Sequence, residues 1–504
     1  MENTKIKIKI EIEKSNEKAT FSPKKNEKDG TFEIVFSHDE KNFLDRIDKI
    51  DEAAIKIIYP SIRGAVSEHL EHVSKENFDK KTLSKSKKKK IKINGEIGNF
   101  SFNFVKKEGQ ICPFLKDNQT HKTLFFKDLI IFNILQKLSF RKSADILNRI
   151  KHQDEDNLFS ASNLHYTAKK ETKLINKKIG EKIKYIFKKN NFLENGEPNL
   201  QKYKEKSKEK FEEIDEKKIN KEFLILKKEI SKNLKLKHLL PLIEKGNVPF
   251  EEKKNTVNIS LDSVWIKKQK KYRNEEIAKT TKEDKTKFVT NSVLHIEKNK
   301  KTYVFTEKNN SCILLNLKAF LLENKLMKDN FVFFLDGQKT LYSSIFKKFK
   351  WKKISLILDY FHLKKKVAAQ LSLGLNKTEK RNEILKKIMI YSWHGLTKEV
   401  QKELKKIPKK YIKNVDKITK LKEYFERNYY YIPNYALRKK LGLRNSSNRV
   451  EKENDLIFAQ RQKNNGMAWS EQGSNALGVL ASFSRNKNVE KWLKYNKISF
   501  KMTA

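Results

Sequence analysis

Two aspartates that end strand-like apolar stretches are the residues best placed to do chemistry in this chain. Asp336 closes the run Phe331-Val-Phe-Phe-Leu-Asp336-Gly337, and Asp262 lies in the alternating stretch Val257-Asn-Ile-Ser-Leu-Asp262-Ser-Val-Trp265. Carboxylates held at strand ends suit a divalent cation, because Mg²⁺ prefers oxygen ligands in a fixed arrangement. The pattern predicts a metal-binding pair. The alternative is that each aspartate only caps a turn.

The charge of the chain indicates the substrate class. There are 112 Lys+Arg against 63 Asp+Glu, a net charge of +49 over 504 residues. An AT-rich coding sequence accounts for part of this lysine excess, but the remaining charge still attracts polyanions. Aromatic residues at 11%, including 32 Phe, predict folded cores. An acid pair that grips metal in so basic a chain indicates chemistry on a phosphate backbone.

The cysteines and the hydropathy of the chain indicate the cellular compartment in which it works. Cys112 and Cys312 match no zinc spacing and fit a reducing interior. The N-terminal stretch 5–13 alternates like an exposed strand and differs from a signal peptide. No run approaches the roughly 20 apolar residues that span a bilayer. We therefore expect a soluble, cytoplasmic protein with no membrane partner.

Changes of pattern divide the chain into segments. The lysine run at 87–90 is expected in a solvated loop or, alternatively, in a patch that contacts phosphate. The alternating Lys and Glu of 186–252 predict a solvated helix or coiled coil. In order, we expect a mixed N-terminal region (1–120), a helix-turn-helix-like DNA-binding region (121–185), a charged helical linker (186–252), the first part of an α/β core (253–364), a helical insertion (365–444) and C-terminal helices that complete the core (445–504).

The region 121–185 begins with two predicted helices. The apolar stretch 124–135 predicts a buried helix. The next stretch, which starts after Ser139, is amphipathic and places Ala144, Ile146 and Leu147 inward.

A third helix of this region has N-cap chemistry. Ser160 and Asn163 precede a basic helix that carries Lys169 and Lys170. Helix, loop and capped basic helix is the arrangement of a helix-turn-helix, whose second helix enters the major groove of DNA. These four residues are therefore candidate DNA contacts. An ordinary helical hairpin explains the pattern equally well.

From residue 255 the periodicity changes to that of strands. Strands are predicted at 257–265, 287–297, 302–306, 331–335 and 354–358, with helices at 312–327 and 340–349. Strands in series that then alternate with helices predict a mixed sheet with helices on its faces. Further helices are predicted across 365–440 and at 448–463 and 473–483. Trp265 and Trp469 are expected to pack in cores.

The order strand, strand, strand, helix, strand, helix, strand resembles the RNase H-like fold of nucleases and integrases. In that family the first and fourth strands each place one metal-binding Asp, and Asp262 and Asp336 fall in those two positions. The third carboxylate of the family comes from a later helix that often follows a helical insertion. The resemblance implies an α/β catalytic core, an RNase H-like mixed sheet with a helical insertion, preceded by a mostly helical DNA-binding region.

Two further blocks carry a more specific resemblance. In the segment 447–473, Glu451 opens a helix and is followed by Arg461, Lys463, Gly466-Met467, Trp469-Ser470 and Gly473. This segment resembles the end of the catalytic domain in bacterial insertion-sequence DDE transposases, particularly the Mutator-like groups typified by the Lre and Kra elements. Similar transposase-like proteins occur in integrative conjugative elements of AT-rich mycoplasmas. Asp359-Tyr-Phe-His362 is similar to the Asp-x-Phe-His block of the same groups.

The resemblance implies two-metal phosphoryl transfer. Asp262, Asp336 and Glu451 would hold two Mg²⁺ (or Mn²⁺) ions, which activate a water or a DNA 3′-hydroxyl and stabilise the leaving oxygen. Asp359 and His362 are possible accessory groups, and Arg461 and Lys463 candidate phosphate contacts. The alternatives are a helix-terminal carboxylate for Glu451, a structural histidine for His362, and solvation of their helix for the two cations.

We therefore expect a DDE-type transposase that cuts double-stranded DNA at element ends and joins them to a target, as a homo-oligomer. Asp262-Ser263-Val264 departs from the Asp-Gly-Ala usual in the family. That departure motivates one alternative, a catalytically decayed DNA-binding protein. A second alternative is an RNase H-like nuclease that cleaves without strand joining.

Overall fold

The computed structural model divides into two compact units. The first comprises Met1–Thr167 and Leu493–Tyr495, and the second Ala168–Trp492 and Asn496–Ala504. Cys112 lies outside the described residues. The described residues are 8–13, 22–25, 32–37, 59–76, 87–95, 98–106, 124–136, 138–150, 159–199, 211–246, 248–269, 287–464 and 466–502.

The first unit, as far as the structure describes it, contains two small sheets and several helices. Its strands are β1 (Ile8–Glu13), β2 (Ser22–Lys25), β3 (Phe32–Ser37), β4 (Lys87–Gly95) and β5 (Gly98–Lys106), and its first helix is α1 (Tyr59–Glu76). The lysine run at 87–90 was expected in a loop, and this is wrong. It begins β4, because the chain from Lys87 pairs residue by residue with β5, whose Phe102 is buried.

The predicted helices of the 121–185 region are present. They are α2 (Leu124–Leu135), α3 (Phe140–Ile150) and α4 (Ala161–Lys189), and the division between the two units falls within α4. The Ser160 hydroxyl accepts a hydrogen bond from the Asn163 N–H at 3.1 Å, which confirms the predicted cap. Ala144 and Leu147 are buried as predicted. Ile146 is 36% exposed, because it lies about 100° around the helix from Leu147.

The segment predicted as a charged helical linker, 186–252, contains a helix that packs on a larger core. This helix, α5 (Glu216–Lys232), buries Ile219, Leu226 and Ile230, which lie on one face at helical spacing. They belong to a hydrophobic cluster that also contains Leu437. Three apolar residues among many charges are thus enough to dock this helix.

A five-stranded mixed sheet forms the centre of the second unit. Its five strands, β6 to β10 in chain order, lie in the order β10-β9-β6-β7-β8, where β7 is antiparallel to its neighbours β6 and β8 and β9 is parallel to its neighbours β6 and β10. This α/β arrangement confirms the predicted series of strands and helices. The elements are β6 (Thr256–Lys267), β7 (Phe288–Lys298), β8 (Lys301–Glu307), α6 (Asn310–Glu323), β9 (Asn330–Leu335), α7 (Lys339–Lys348) and β10 (Ile354–Leu358).

Both faces of this sheet are covered, so every residue of β9 is buried. Successive side chains of a strand point to opposite faces. Val257, Ile259 and Leu261 of β6 therefore share one face, and they pack in the same core as α6. Asp262 points to the other face.

The predicted helical insertion is present and packs on the second face of the sheet. Val332 and Phe334 of β9 share a hydrophobic core with insertion residues such as Leu371 and Leu421. The helices are α8 (Tyr360–Gly374), α9 (Thr378–Trp393), α10 (Thr397–Lys405), α11 (Val415–Arg427) and α12 (Tyr435–Lys440).

The C-terminal helices follow the insertion. They are α13 (Asn448–Asn454), a π-helix (Asp455–Lys463), α14 (Glu471–Arg485) and α15 (Val489–Tyr495). Among the helices that the structure describes, none combines the length and the hydropathy needed to cross a bilayer.

Candidate active site

Three aspartates lie at one edge of the central sheet. Ser260 of β6 pairs with Phe334 of β9, so two further residues on each parallel strand bring Asp262 opposite Asp336. Leu358 of β10 pairs with Leu335, and the next residue is Asp359. This is the edge where parallel strands end, the usual ligand-binding edge of an α/β sheet. The strand register therefore gathers carboxylates that are up to 97 positions apart in the chain (359 − 262).

The Asp262 carboxylate is held by two donors. Its Oδ1 accepts the Ser263 N–H at 2.7 Å, and its Oδ2 accepts the Asn454 side-chain amide at 2.5 Å. Burial raises the pKa of Asp262, and the charge of Asp336 raises it further, against the opposing effects of Ser263 and His362. Asp262 and Asp336 therefore interact as like charges, which a bound cation would relieve.

Glu451 and His362 complete the group. His362 Nδ1 lies 3.6 Å from Glu451 Oε1 and 3.4 Å from Asp359 Oδ1. Burial raises the pKa of Glu451, and the charges of Asp359 and Asp262 add to this, while His362 and Lys365 oppose it. Glu451 thus shares one electrostatic environment with Asp262, although 189 positions separate them (451 − 262).

Asp359 has a structural role at this site. It is fully buried and caps helix α8, since its Oδ1 accepts the His362 N–H at 2.7 Å. Its Oδ2 accepts the N–H of Ser447, the residue before α13. Both carboxylate oxygens are thus engaged by backbone donors. The geometry favours a positioning role for Asp359 over that of a rival metal ligand.

The residues of the site fit a divalent cation. Ligand atoms of Asp359, His362 and Glu451 all lie within 4.8 Å of one another. Within the described part of the chain, Glu451 Oε1 and His362 Nδ1 are buried without a hydrogen-bond partner. A buried polar atom in that state is unfavourable, and a metal ion would satisfy it. Both oxygens of Asp359 and both oxygens of Asp262 accept hydrogen bonds, so Glu451 Oε1 and His362 Nδ1 are the atoms of this group that a cation would satisfy first.

The two residues after Glu451 that were predicted to contact phosphate, Arg461 and Lys463, differ in their exposure. Lys463 is exposed. Arg461 is only 6% exposed, and burial lowers the pKa of its guanidinium to about 10, so it does not solvate its helix, and its contact with phosphate stays a prediction. The chain here is a π-helix, which has more residues per turn than an α-helix. The number of residues between Glu451 and Arg461 therefore does not predict which way the Arg461 side chain points.

The other predicted DNA contacts lie at the start of α4. The Ser160 hydroxyl is engaged in the cap described above, and Asn163, Lys169 and Lys170 are half-buried. Of the two tryptophans expected in cores, Trp469 is buried, as predicted, but Trp265 is 61% exposed. Trp265 lies beside the exposed ring of Phe288, with ring centroids 6.3 Å apart.

Two residues at the site escaped the sequence prediction. Asn454 lies three residues after Glu451 on the same side of α13, and this spacing was a usable signal. Tyr424 of the insertion donates its hydroxyl to the Asp336 carbonyl at 3.3 Å across 88 positions, which no sequence pattern indicates.

No family model matches this chain, and no curated protein is significantly similar to it.

Proposed function

We propose that this chain is a DDE-type transposase, which cuts double-stranded DNA at the ends of an element and joins them to a target. The observation that carries the proposal is the register of β6 and β9, which brings Asp262, inside β6, opposite Asp336, the residue after β9. Glu451, on a C-terminal helix, lies near enough to Asp262 for the two charges to interact. The order strand, strand, strand, helix, strand, helix, strand along β6–β10 supports it, since this order of elements resembles the RNase H-like fold. So does the resemblance of segment 447–473 to such transposases.

In this proposal Asp262, Asp336 and Glu451 would hold two Mg²⁺ or Mn²⁺ ions, and bound ions would supply an activated hydroxyl and stabilise the leaving oxygen. The chain's own contribution is to fix the ligands. Ser263 and Asn454 orient both oxygens of Asp262. The ring of His362 lies between Asp359 and Glu451 and restrains the Glu451 carboxylate. Positioning and electrostatic stabilisation account for most catalysis of phosphoryl transfer.

A strand-transfer assay tests the proposal. Labelled duplexes taken from the genomic flanks of the gene are incubated with the full chain and Mg²⁺ or Mn²⁺. We expect joined products from the wild type and a loss of at least about 1000-fold in Asp262→Asn, Asp336→Asn and Glu451→Gln. The control is Asp416→Asn, which removes one exposed carboxylate at the start of α11 and should retain activity.

Each other outcome points to a different protein. Metal-dependent cleavage without joined products would support an RNase H-like nuclease. Tight DNA binding without any product would support the catalytically decayed DNA-binding protein. Full activity in Glu451→Gln alone would show that a different residue supplies the third carboxylate.

A further inference from the structure

A cleft of about 550 Å³ opens beside the carboxylates. One part of its wall is formed by Asp336 and His362, which belong to the candidate active site. Another part carries four cations, Lys339, Lys365, Lys366 and Arg427. The four are exposed and come from three separate helices, α7, α8 and α11. Folding thus brings these four cations together as one wall of the cleft, the basic wall, next to the part formed by Asp336 and His362.

These cations are not neutralised by carboxylates. Within the residues that the structure describes, none of the four forms an ion pair, whereas many other lysines do, such as Lys387 with Glu383. Their neighbours are aromatic instead. Lys365 lies 4.6 Å from the Phe361 ring centroid, and Lys366 and Arg427 lie 5.9 and 5.7 Å from that of Tyr424. Their positive charge therefore remains available to an anionic ligand.

The basic wall is fixed relative to the carboxylates. Tyr424 is buried, and its ring lies near both Lys366 and Arg427 while its hydroxyl binds the Asp336 carbonyl. Lys365 lies near enough to Glu451 to oppose the rise in its pKa. Anionic groups in this cleft would therefore stand at a defined position beside the site where a phosphate reacts.

We propose that this cleft holds the sugar–phosphate backbone of the DNA strand next to the reacting phosphate. The inference rests on the proposed function. A phosphodiester that reacts at the carboxylates continues along the strand, and its neighbouring phosphates need cations because the carboxylates repel them. Lys365, Lys366 and Arg427 supply these contacts without reading base sequence. The helical insertion thereby contributes Arg427 to substrate binding.

The test is DNA binding by the full chain with Ca²⁺ in place of Mg²⁺, measured by fluorescence anisotropy on a labelled duplex at several salt concentrations. The variant is Lys366→Gln/Arg427→Gln, which keeps part of each aliphatic stem. The control is Lys364→Gln/Lys420→Gln, which removes two exposed charges from the same two helices, outside the cleft lining. We expect the cleft variant to lose about tenfold or more in affinity, and its salt slope to fall by about 2. The control should lose less than about threefold.

Equal losses in the two double variants, or none in the cleft variant, would overturn the inference, since only the general positive field would then matter. Single-turnover cleavage with Mg²⁺ separates this failure from failure of the proposed function. If the wild type cleaves and the cleft variant matches the control in affinity, only the cleft inference fails. If the wild type does not cleave but the cleft variant still loses affinity selectively, the cleft stands and the enzyme proposal fails. Absence of DNA binding by the wild type would contradict both.

Discussion

The Asp359 carboxylate accepts the backbone N–H of Ser447 and so ties the end of β10 to the start of the helix that carries Glu451. Its other oxygen accepts the His362 N–H at 2.7 Å. One buried side chain therefore sets the starting points of two helices, and with them the positions of His362 and Glu451. Asp359 and Ser447 lie 88 positions apart (447 − 359) with helices α8–α12 between them, yet the two residues meet at one carboxylate.

Asp359→Asn tests this link. An amide has one acceptor oxygen, so its NH₂ group would face either the Ser447 or the His362 N–H. Leaving buried donors without acceptors costs about 1–3 kcal/mol of unfolding free energy. We expect that loss in a urea titration, together with weaker Mg²⁺ binding as Glu451 shifts. The control is Asp215→Asn at the exposed N-cap of α5, where Asn and Asp are equivalent and the change should stay below about 0.5 kcal/mol. Equal, small effects in both variants would show that Asp359 does not act as the link.

The candidate metal site predicts a pH-dependent response to Mg²⁺. Burial raises the pKa of both Asp262 and Glu451 in the folded protein. A carboxyl group with a raised folded pKa adds stability below its unfolded pKa, and this is lost as pH rises through the folded value. At neutral pH the ionised pair is therefore unfavourable without a cation. We expect Mg²⁺ to raise the Tm at about pH 7.5 and to lose this effect as the pH falls through the raised pKa values.

Asp262→Asn gives the matched variant for that experiment. Asn454 Oδ1 has no hydrogen-bond partner in the described part of the chain, so rotation of the Asn454 amide would let it accept from the new amide. We expect the variant without metal to gain about 2 °C in Tm near neutral pH, because a buried charge is removed. Mg²⁺ should no longer raise the Tm of this variant. A Mg²⁺ response that is the same in variant and wild type would refute the role of Asp262 as a ligand.

A buried ion pair joins the end of the insertion to the chain before β6. Arg438 donates to the two oxygens of Glu251 at 2.8 and 2.6 Å, and both side chains are at most 1% exposed. Glu251→Gln leaves the guanidinium buried without its charge partner, so we expect a loss of about 3–5 kcal/mol in a denaturant titration. Glu213→Gln, which breaks an exposed pair with Lys353, should cost at most about 1 kcal/mol. A similar small effect for both would show that water reaches the Arg438 pair.

Gly337 follows Asp336 and allows the insertion to approach. Its φ is +87°, and an added Cβ would lie 2.8 Å from the Tyr424 hydroxyl and 3.0 Å from Leu358. Gly337→Ala should therefore lose at least about 2 kcal/mol of stability, through backbone strain and the steric clash together. Gly442→Ala is the control, with a φ of +71° and no atom nearer to the added Cβ than Lys253 Nζ at 3.8 Å, an ordinary contact, so it reports the strain alone, about 1 kcal/mol. Thermal unfolding of both variants separates the cost of the steric clash from the cost of the backbone strain. Equal losses would mean that Tyr424 moves aside without penalty.

The sequence by itself determined the order of elements in the core. The chain alternates apolar and polar residues from Val257 to Asp262, and a continuous apolar run ends just before Asp336, so the two strands and their acids were predictable. The N-cap at Ser160 and the helical insertion were also predictable. In all these cases the sequence signal is local, because side chains within a few residues cap the helix or determine which face is buried.

Only the tertiary structure decided which groups work together. Asp359 looked like a possible accessory group, and its oxygens proved to be engaged by backbone donors, one of them 88 positions away. Arg461 was predicted to contact phosphate or to solvate its helix, and its side chain is buried, while Trp265 was predicted in a core and is exposed. The basic wall that includes Lys366 and Arg427 has no linear pattern. The burial, the hydrogen-bond partners and the charged neighbours of these residues are set by elements distant in the chain that pack against them. Local sequence patterns therefore could not predict them.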